Sequence, residues 1–175
     1  LYSFKLSQDL ISKWEKYVQE HHLYDNRMED FKDWMALAGQ RLDQCSQPVG
    51  DQESLEEKRA MIQMLFTEKE HGHQKLSAAV ESGEKLYPDT ASAGREKVRG
   101  ELRMAKQDWE NLFSGLNDAQ RRVDSYLMQW SSYTDQQDQL MRWMAETEAA
   151  LRADVDLRNT LQEKRLQLQT HRVRV

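Results

Sequence analysis

The sequence predicts an all-α fold: elongated, tandem three-helix bundles, packed as left-handed antiparallel coiled coils and joined by a continuous helical linker. Three observations predict it. Helix breakers are scarce, with 2 Pro and 7 Gly in 175 residues, while 31% of residues are charged and 38% hydrophobic. That balance suits long helices that each bury one narrow stripe. Apolar residues recur in alternating steps of three and four. And the pattern repeats itself at an offset of 106–109 residues.

The first helix is marked by Leu10, Trp14, Tyr17, His21, Tyr24, Met28, Phe31, Met35, Ala38, Leu42 and Cys45. These positions form one seam, interrupted in apolar character only by His21. No Pro or Gly falls between Leu10 and Ala38, so one near-continuous helix is expected up to the Cys45–Asp51 region, where Pro48 and Gly50 break it.

A second helix is expected from Ser54. Ser54-Leu55-Glu56-Glu57 reads as a capping box, in which the Ser hydroxyl accepts from a free backbone N–H and Glu57 reaches back. Its seam is expected to run through Leu55, Ile62, Phe66, Lys69, His73, Leu76 and Val80. It ends near Leu86-Tyr87-Pro88-Asp89, since Pro cannot continue a helix.

The third helix begins in the Thr90–Arg95 region. Its seam is Val98, Leu102, Ala105, Trp109, Leu112, Leu116, Ala119, Val123, Tyr126, Trp130 and Tyr133, and it carries on through Leu140, Met144 and Leu151. No Pro or Gly occurs from Leu116 to Asn159. At ~1.5 Å per residue the helix would be roughly 80–90 Å long. A lone helix of that length cannot bury its stripe by itself, so it is expected to pass from one bundle into the next through Trp130 and Tyr133. After a break at Ala153–Asn159, Thr160-Leu161-Gln162-Glu163 reads as another capping box that restarts a helix.

Internal repetition supports the tandem arrangement. Ser54-Leu-Glu-Glu-Lys-Arg59 returns as Thr160-Leu-Gln-Glu-Lys-Arg165, and Trp34-Met35 returns as Trp143-Met144. Residues expected in the core are Trp34, Met35, Leu42, Leu55, Ile62, Leu76, Val80, Leu102, Trp109, Leu112, Leu116, Val123, Tyr126 and Trp143.

Trp34 in the first helix, and Trp109, Leu112 and Arg121-Arg122 in the third, resemble the spectrin repeat across the whole chain. The resemblance implies one complete repeat at 21–130. Residues 1–20 would then be the tail of a preceding third helix, and 131–175 the first two helices of a following repeat. The stretch Gly83-Glu-Lys-Leu-Tyr-Pro-Asp-Thr90, followed by Gly94-Arg-Glu-Lys-Val98 and Glu101-Leu-Arg103, looks most like the giant nuclear-envelope spectrin-repeat proteins, the nesprins. That likeness implies a rod segment of a nucleus-to-actin linker on the cytoplasmic side of the outer nuclear membrane. It also implies docking of an actin-regulatory protein such as a formin. A membrane-skeleton rod of the spectrin, dystrophin or plakin type is the alternative, or a head-to-tail self-association module.

The residues themselves argue against chemistry. A net charge of −5 disfavours nucleic acid as a main partner. One cysteine, Cys45, rules out a disulfide framework within the chain. No apolar run approaches membrane-spanning length, and the start Leu1-Tyr2-Ser3 reads as internal to something larger. His71 and His73 are two apart and point to different sides of a helix, unlike the i, i+4 pairs that bind metal. No phosphate loop or nucleophile–base pair is present, so no enzyme, cofactor or metal is expected. Two surface features stand out. Arg158, Lys164, Arg165, Arg172 and Arg174 face a single acid, Glu163, and form a candidate patch for an acidic partner. The apolar residues off the main seam (Trp34, Met61, Leu65, Phe113, Leu127 and Met141) are candidate docking side chains. A monomer is expected, with weak head-to-tail pairing through Leu10, Trp14, Tyr17, Leu161 and Leu168 as the alternative.

Overall fold

A computed structural model describes residues 2–153 and 158–174, with side chains for 4–152 and 158–173. The described residues form five helices and no strand: α1 (Tyr2–Cys45), α2 (Gln52–Thr67), α3 (Lys69–Lys85), α4 (Ser92–Ala153) and α5 (Leu161–Arg174). The chain divides into two units, Leu1–Leu127 and Met128–Val175.

In the first unit two apolar clusters form the core, and each draws on three helices. One gathers Tyr24, Met28 and Phe31 of α1, Leu76 and Ala79 of α3, and Val98, Leu102 and Ala105 of α4, with Leu86 just beyond α3. The other gathers Ala38 and Cys45 of α1, Ile62 and Leu65 of α2, and Leu112, Phe113, Leu116, Ala119 and Val123 of α4. Met35 and Trp109 pack against both. Each fully buried Leu, Ile or Phe here contributes about 1.5–3 kcal/mol by leaving water.

The expected single second helix is two helices. Glu68 separates α2 from α3 with φ −80° and ψ −5°. Just before it, the Thr67 hydroxyl donates to the Met64 carbonyl at 2.7 Å, a local bond of the kind that bends helices. At the break, Arg41 of α1 donates to both carboxylate oxygens of Glu68, at 2.8 and 2.9 Å.

The seam of this pair of helices also differs from expectation. Lys69 and His73 are exposed and Phe66 half-buried, while Leu65, Gly72, Leu76, Ala79, Ser82 and Gly83 are buried. The reason is steric. A Cβ on Gly72 would lie 2.4 Å from Trp34, and one on Gly83 would lie 2.9 Å from Tyr24. Small residues on α3 make room for the large rings of α1, so the inward face is the one without bulk.

The start of α2 is capped by Asp51 rather than Ser54. The Asp51 carboxylate accepts from the Ser54 backbone N–H at 2.9 Å, and the helix begins at Gln52. The turn before α4 is tied to α1, where the Tyr17 hydroxyl donates to Asp89 at 2.8 Å and His21 approaches Thr90 at 3.5 Å. From Ser92, α4 continues without interruption for 62 residues, past Trp130 and Tyr133.

Of the expected core residues, Leu55, Ile62, Leu76, Leu102, Leu112, Leu116 and Val123 are buried, and Trp34, Met35, Leu42, Val80 and Trp109 are half-buried. Two are corrected. Tyr126 is 45% exposed: α1 has ended at Cys45 and α2 does not begin until Gln52, and Leu127 turns toward the core instead. Trp143 is 55% exposed, because the described helices of the second unit bury no large side chain around it.

Candidate docking surface

The second unit presents the cationic patch. Its helix start is built by the Thr160 box: the Glu163 backbone N–H donates to the Thr160 hydroxyl at 3.2 Å, and the Thr160 N–H donates to the Glu163 carboxylate at 3.0 Å. These bonds, with the nearby charge of Arg158, hold the Glu163 carboxyl below the usual carboxylate range. The one acid of the segment is thus occupied in capping. Arg158, Lys164, Arg165 and Arg172 are all exposed, and Lys164, Arg165 and Arg172 form no ion pair among the described residues. The Arg174 side chain lies outside the described residues.

On α5, Leu161, Arg165, Leu168 and Arg172 follow one another in steps of four, three and four, so they share a face. Leu161 is 66% and Leu168 52% exposed. The face therefore combines aliphatic surface with cations, a pattern that receives an apolar segment carrying carboxylates.

A second exposed stripe lies on α4. Trp130 is half-buried and meets Tyr133 edge-on, with ring centroids 6.0 Å apart at 88°. Tyr133, Leu140, Met141, Trp143 and Met144 follow, all exposed. The same Trp-x-x-Tyr pair occurs on α1, where Trp14 and Tyr17 meet at 5.7 Å and 88°. This correspondence, visible in sequence as the same two residue types three apart, was not among the features singled out from the sequence.

The off-seam candidates divide. Leu65 and Phe113 are buried, because the stripe of α2 runs through Leu65 and the broad face of α4 takes in Phe113 beside Leu112. Trp34, Met61 and Leu127 are half-buried, and Met141 is exposed. Trp34, Trp109, Phe113 and Phe66 form a chain of ring contacts at 5.6, 4.5 and 6.4 Å, with His73 against Trp109 and Lys69 over Phe113. The rings face one another across α1, α2 and α4, which makes them packing groups rather than a ligand platform. Beside them, a groove of about 220 Å³ between α1 and α4 is lined by Phe31, Lys32, Met35, Glu101, Met104 and Asp108.

Among the described residues no cluster of His, Cys, Asp and Glu has the makings of a metal site, and no helix is long and apolar enough to cross a membrane. Cys45 is fully buried, and burial pushes its thiol up from the ordinary value.

No family model matches the sequence, and no solved structure matches it. Curated proteins do match it, two of them as follows. The chain is 34% identical over 168 residues, 95% of its length, to the muscle-specific protein 300 kDa of Drosophila melanogaster. It is 23% identical over 145 residues, 83% of its length, to nesprin-3 of Mus musculus. The chain spans only 1% of the first relative and 15% of the second. With an all-helical fold, heptad seams and these two relatives, the chain belongs to the nesprin-like spectrin-repeat family.

Proposed function

We propose that the chain is a structural, non-enzymatic rod segment of a cytoskeletal linker, which spaces functional ends, transmits load and docks a protein partner on exposed helix faces. One observation carries the reading: α4 runs unbroken from Ser92 to Ala153, through Trp130 and Tyr133. A helix shared by successive repeats resists bending there and couples their unfolding. In this reading residues 21–130 are one complete repeat, 1–20 the tail of a preceding one, and 131–175 the start of the next. Similarity to nesprin-3 supports a place on the cytoplasmic side of the outer nuclear membrane.

Single-molecule stretching of the chain tests the load-bearing role. Ser132→Pro removes a backbone donor and clashes with the preceding turn, costing ~3 kcal/mol or more. The variant is expected to give way at lower force than the wild type. Identical force–extension curves would contradict the role assigned to α4.

The docking partner is an actin-regulatory protein of the formin kind, bound by the α5 face through Arg165 and Arg172. Binding of a purified formin, followed across a salt series, is expected for the native chain and lost in Arg165→Glu/Arg172→Glu. Unchanged affinity at every salt concentration would retire the patch.

A further inference from the structure

The two apolar clusters of the first unit meet at one level, and several features coincide there. The break at Glu68 falls between Leu65, which belongs to one cluster, and Leu76, which belongs to the other. On α1 the transition falls between Phe31 and Ala38, and on α4 between Ala105 and Leu112. Among the described residues only Met35 and Trp109 are half-buried hydrophobics packed against both clusters. Across the break two backbone bonds persist, Glu68 N–H to the Met64 carbonyl and Gly72 N–H to the Glu68 carbonyl, each at 3.1 Å, and one side-chain tie joins them, Arg41 to Glu68.

The two halves are unequal. α2 contributes Leu55, Ile62 and Leu65 to the interior, with Met61 and Phe66 beside them. α3 contributes Gly72, Leu76, Ala79, Ser82 and Gly83, so it buries one large aliphatic side chain where α2 buries three. Its two glycines also lower its helix propensity. α3 lies between the break at Glu68 and the turn containing Pro88.

We propose that the first unit opens in two steps: α3 releases first, uncovering Tyr24, Met28 and Phe31 of α1, while α2, α1 beyond Met35 and α4 beyond Trp109 remain packed around Cys45. Packed helices whose cores are joined by few shared side chains separate as distinct cooperative units. The fold thereby carries a yielding element that lengthens the chain and exposes an apolar face without loss of the whole core. This inference stands apart from the rod reading, since it concerns equilibrium opening and requires no load.

Native-state hydrogen exchange on the 175-residue chain in low urea, run beside thiol labelling of Cys45, tests it. The α3 amides from Gly72 to Lys85 are expected to exchange about tenfold or more faster than the α2 amides from Ala60 to Thr67, with a weaker dependence on urea. Cys45 is expected to react at the rate of the α2 amides. Arg41→Ala removes a tie that is one-third exposed on both sides, so the variant should fold. It is expected to speed α3 exchange and to leave Cys45 labelling unchanged to within about twofold. Equal rates and equal urea dependence on both sides of Glu68 would overturn the proposal, as would Cys45 labelling that follows the α3 amides.

Discussion

The Trp34 indole occupies the space that a side chain at residue 72 would fill: a Cβ on Gly72 would lie 2.4 Å from its Cη2 and 2.6 Å from two further ring carbons. A helix interior ordinarily favours Ala over Gly by about 0.8–1.0 kcal/mol. At this position the clash wins. Gly72→Ala is expected to destabilise the first unit by roughly 1–3 kcal/mol, since the ring must leave its rotamer or α3 must move outward. Urea denaturation measures it, and a stabilised variant would show that Trp34 does not pack here.

Two of the three tryptophans expected in the core, Trp109 and Trp143, are expected to behave differently. Trp109 touches Trp34, Phe113 and His73 and joins both core clusters. Trp109→Ala should cost ~3–5 kcal/mol. Trp143 is exposed, and Trp143→Ala in this chain should change stability by no more than about 0.5 kcal/mol. Comparable losses from the two would contradict the burial assigned to each.

Stability is expected to fall in alkali. Burial holds the Cys45 thiol above its ordinary value of 9.0. Burial also holds the Tyr24 phenol above 10.0, assisted by the Glu101 carboxylate, to which the phenol donates at 2.7 Å. Both groups lose their protons more readily in the unfolded chain. Their contribution is therefore fully present below pH 9 and declines as pH rises through 9 and 10. Thermal melts from pH 7 to 11 check this, and Cys45→Ala should reduce the first part of the decline. A flat profile to pH 11 would count against both placements.

Thr160→Ala removes the hydroxyl that accepts from the Glu163 N–H. The expected cost is ~0.5–2 kcal/mol, confined to α5. Amide exchange should rise in Leu161–Leu166 and stay unchanged in α2. Since the Glu163 carboxyl is held below its ordinary value of 4.5, its share of the capping is present above that pH and lost in stronger acid. Protection of α5 that is indifferent to both changes would mean the box is not formed.

Much of this architecture was legible because large apolar residues advertise it. The α1 seam from Tyr24 to Cys45 and the α4 seam from Val98 to Val123 read directly, as did the breaks around Pro48 and Pro88. The seam of α3 was misread for the same reason. Counting bulk drew it through Lys69 and His73, whereas the inward face is made of Gly72, Ala79 and Gly83, chosen for what they leave free. The break at Glu68 carries neither Pro nor Gly. It depends on Thr67 turning back on Met64 and on Arg41 arriving from another helix, which no local pattern contains. Tyr126 shows a different limit. The heptad continues through it, but the helices that would cover it have stopped. The α5 patch was readable as charge, while the pairing of its cations with Leu161 and Leu168 on one face required the helix register.

The account rests most heavily on the continuity of α4. Backbone chemical shifts and amide exchange across Met128–Gln137 test it directly. Helical shifts at every residue, with the amides of Trp130–Thr134 protected, are the expected result. Coil-like shifts or freely exchanging amides anywhere in that stretch would contradict it.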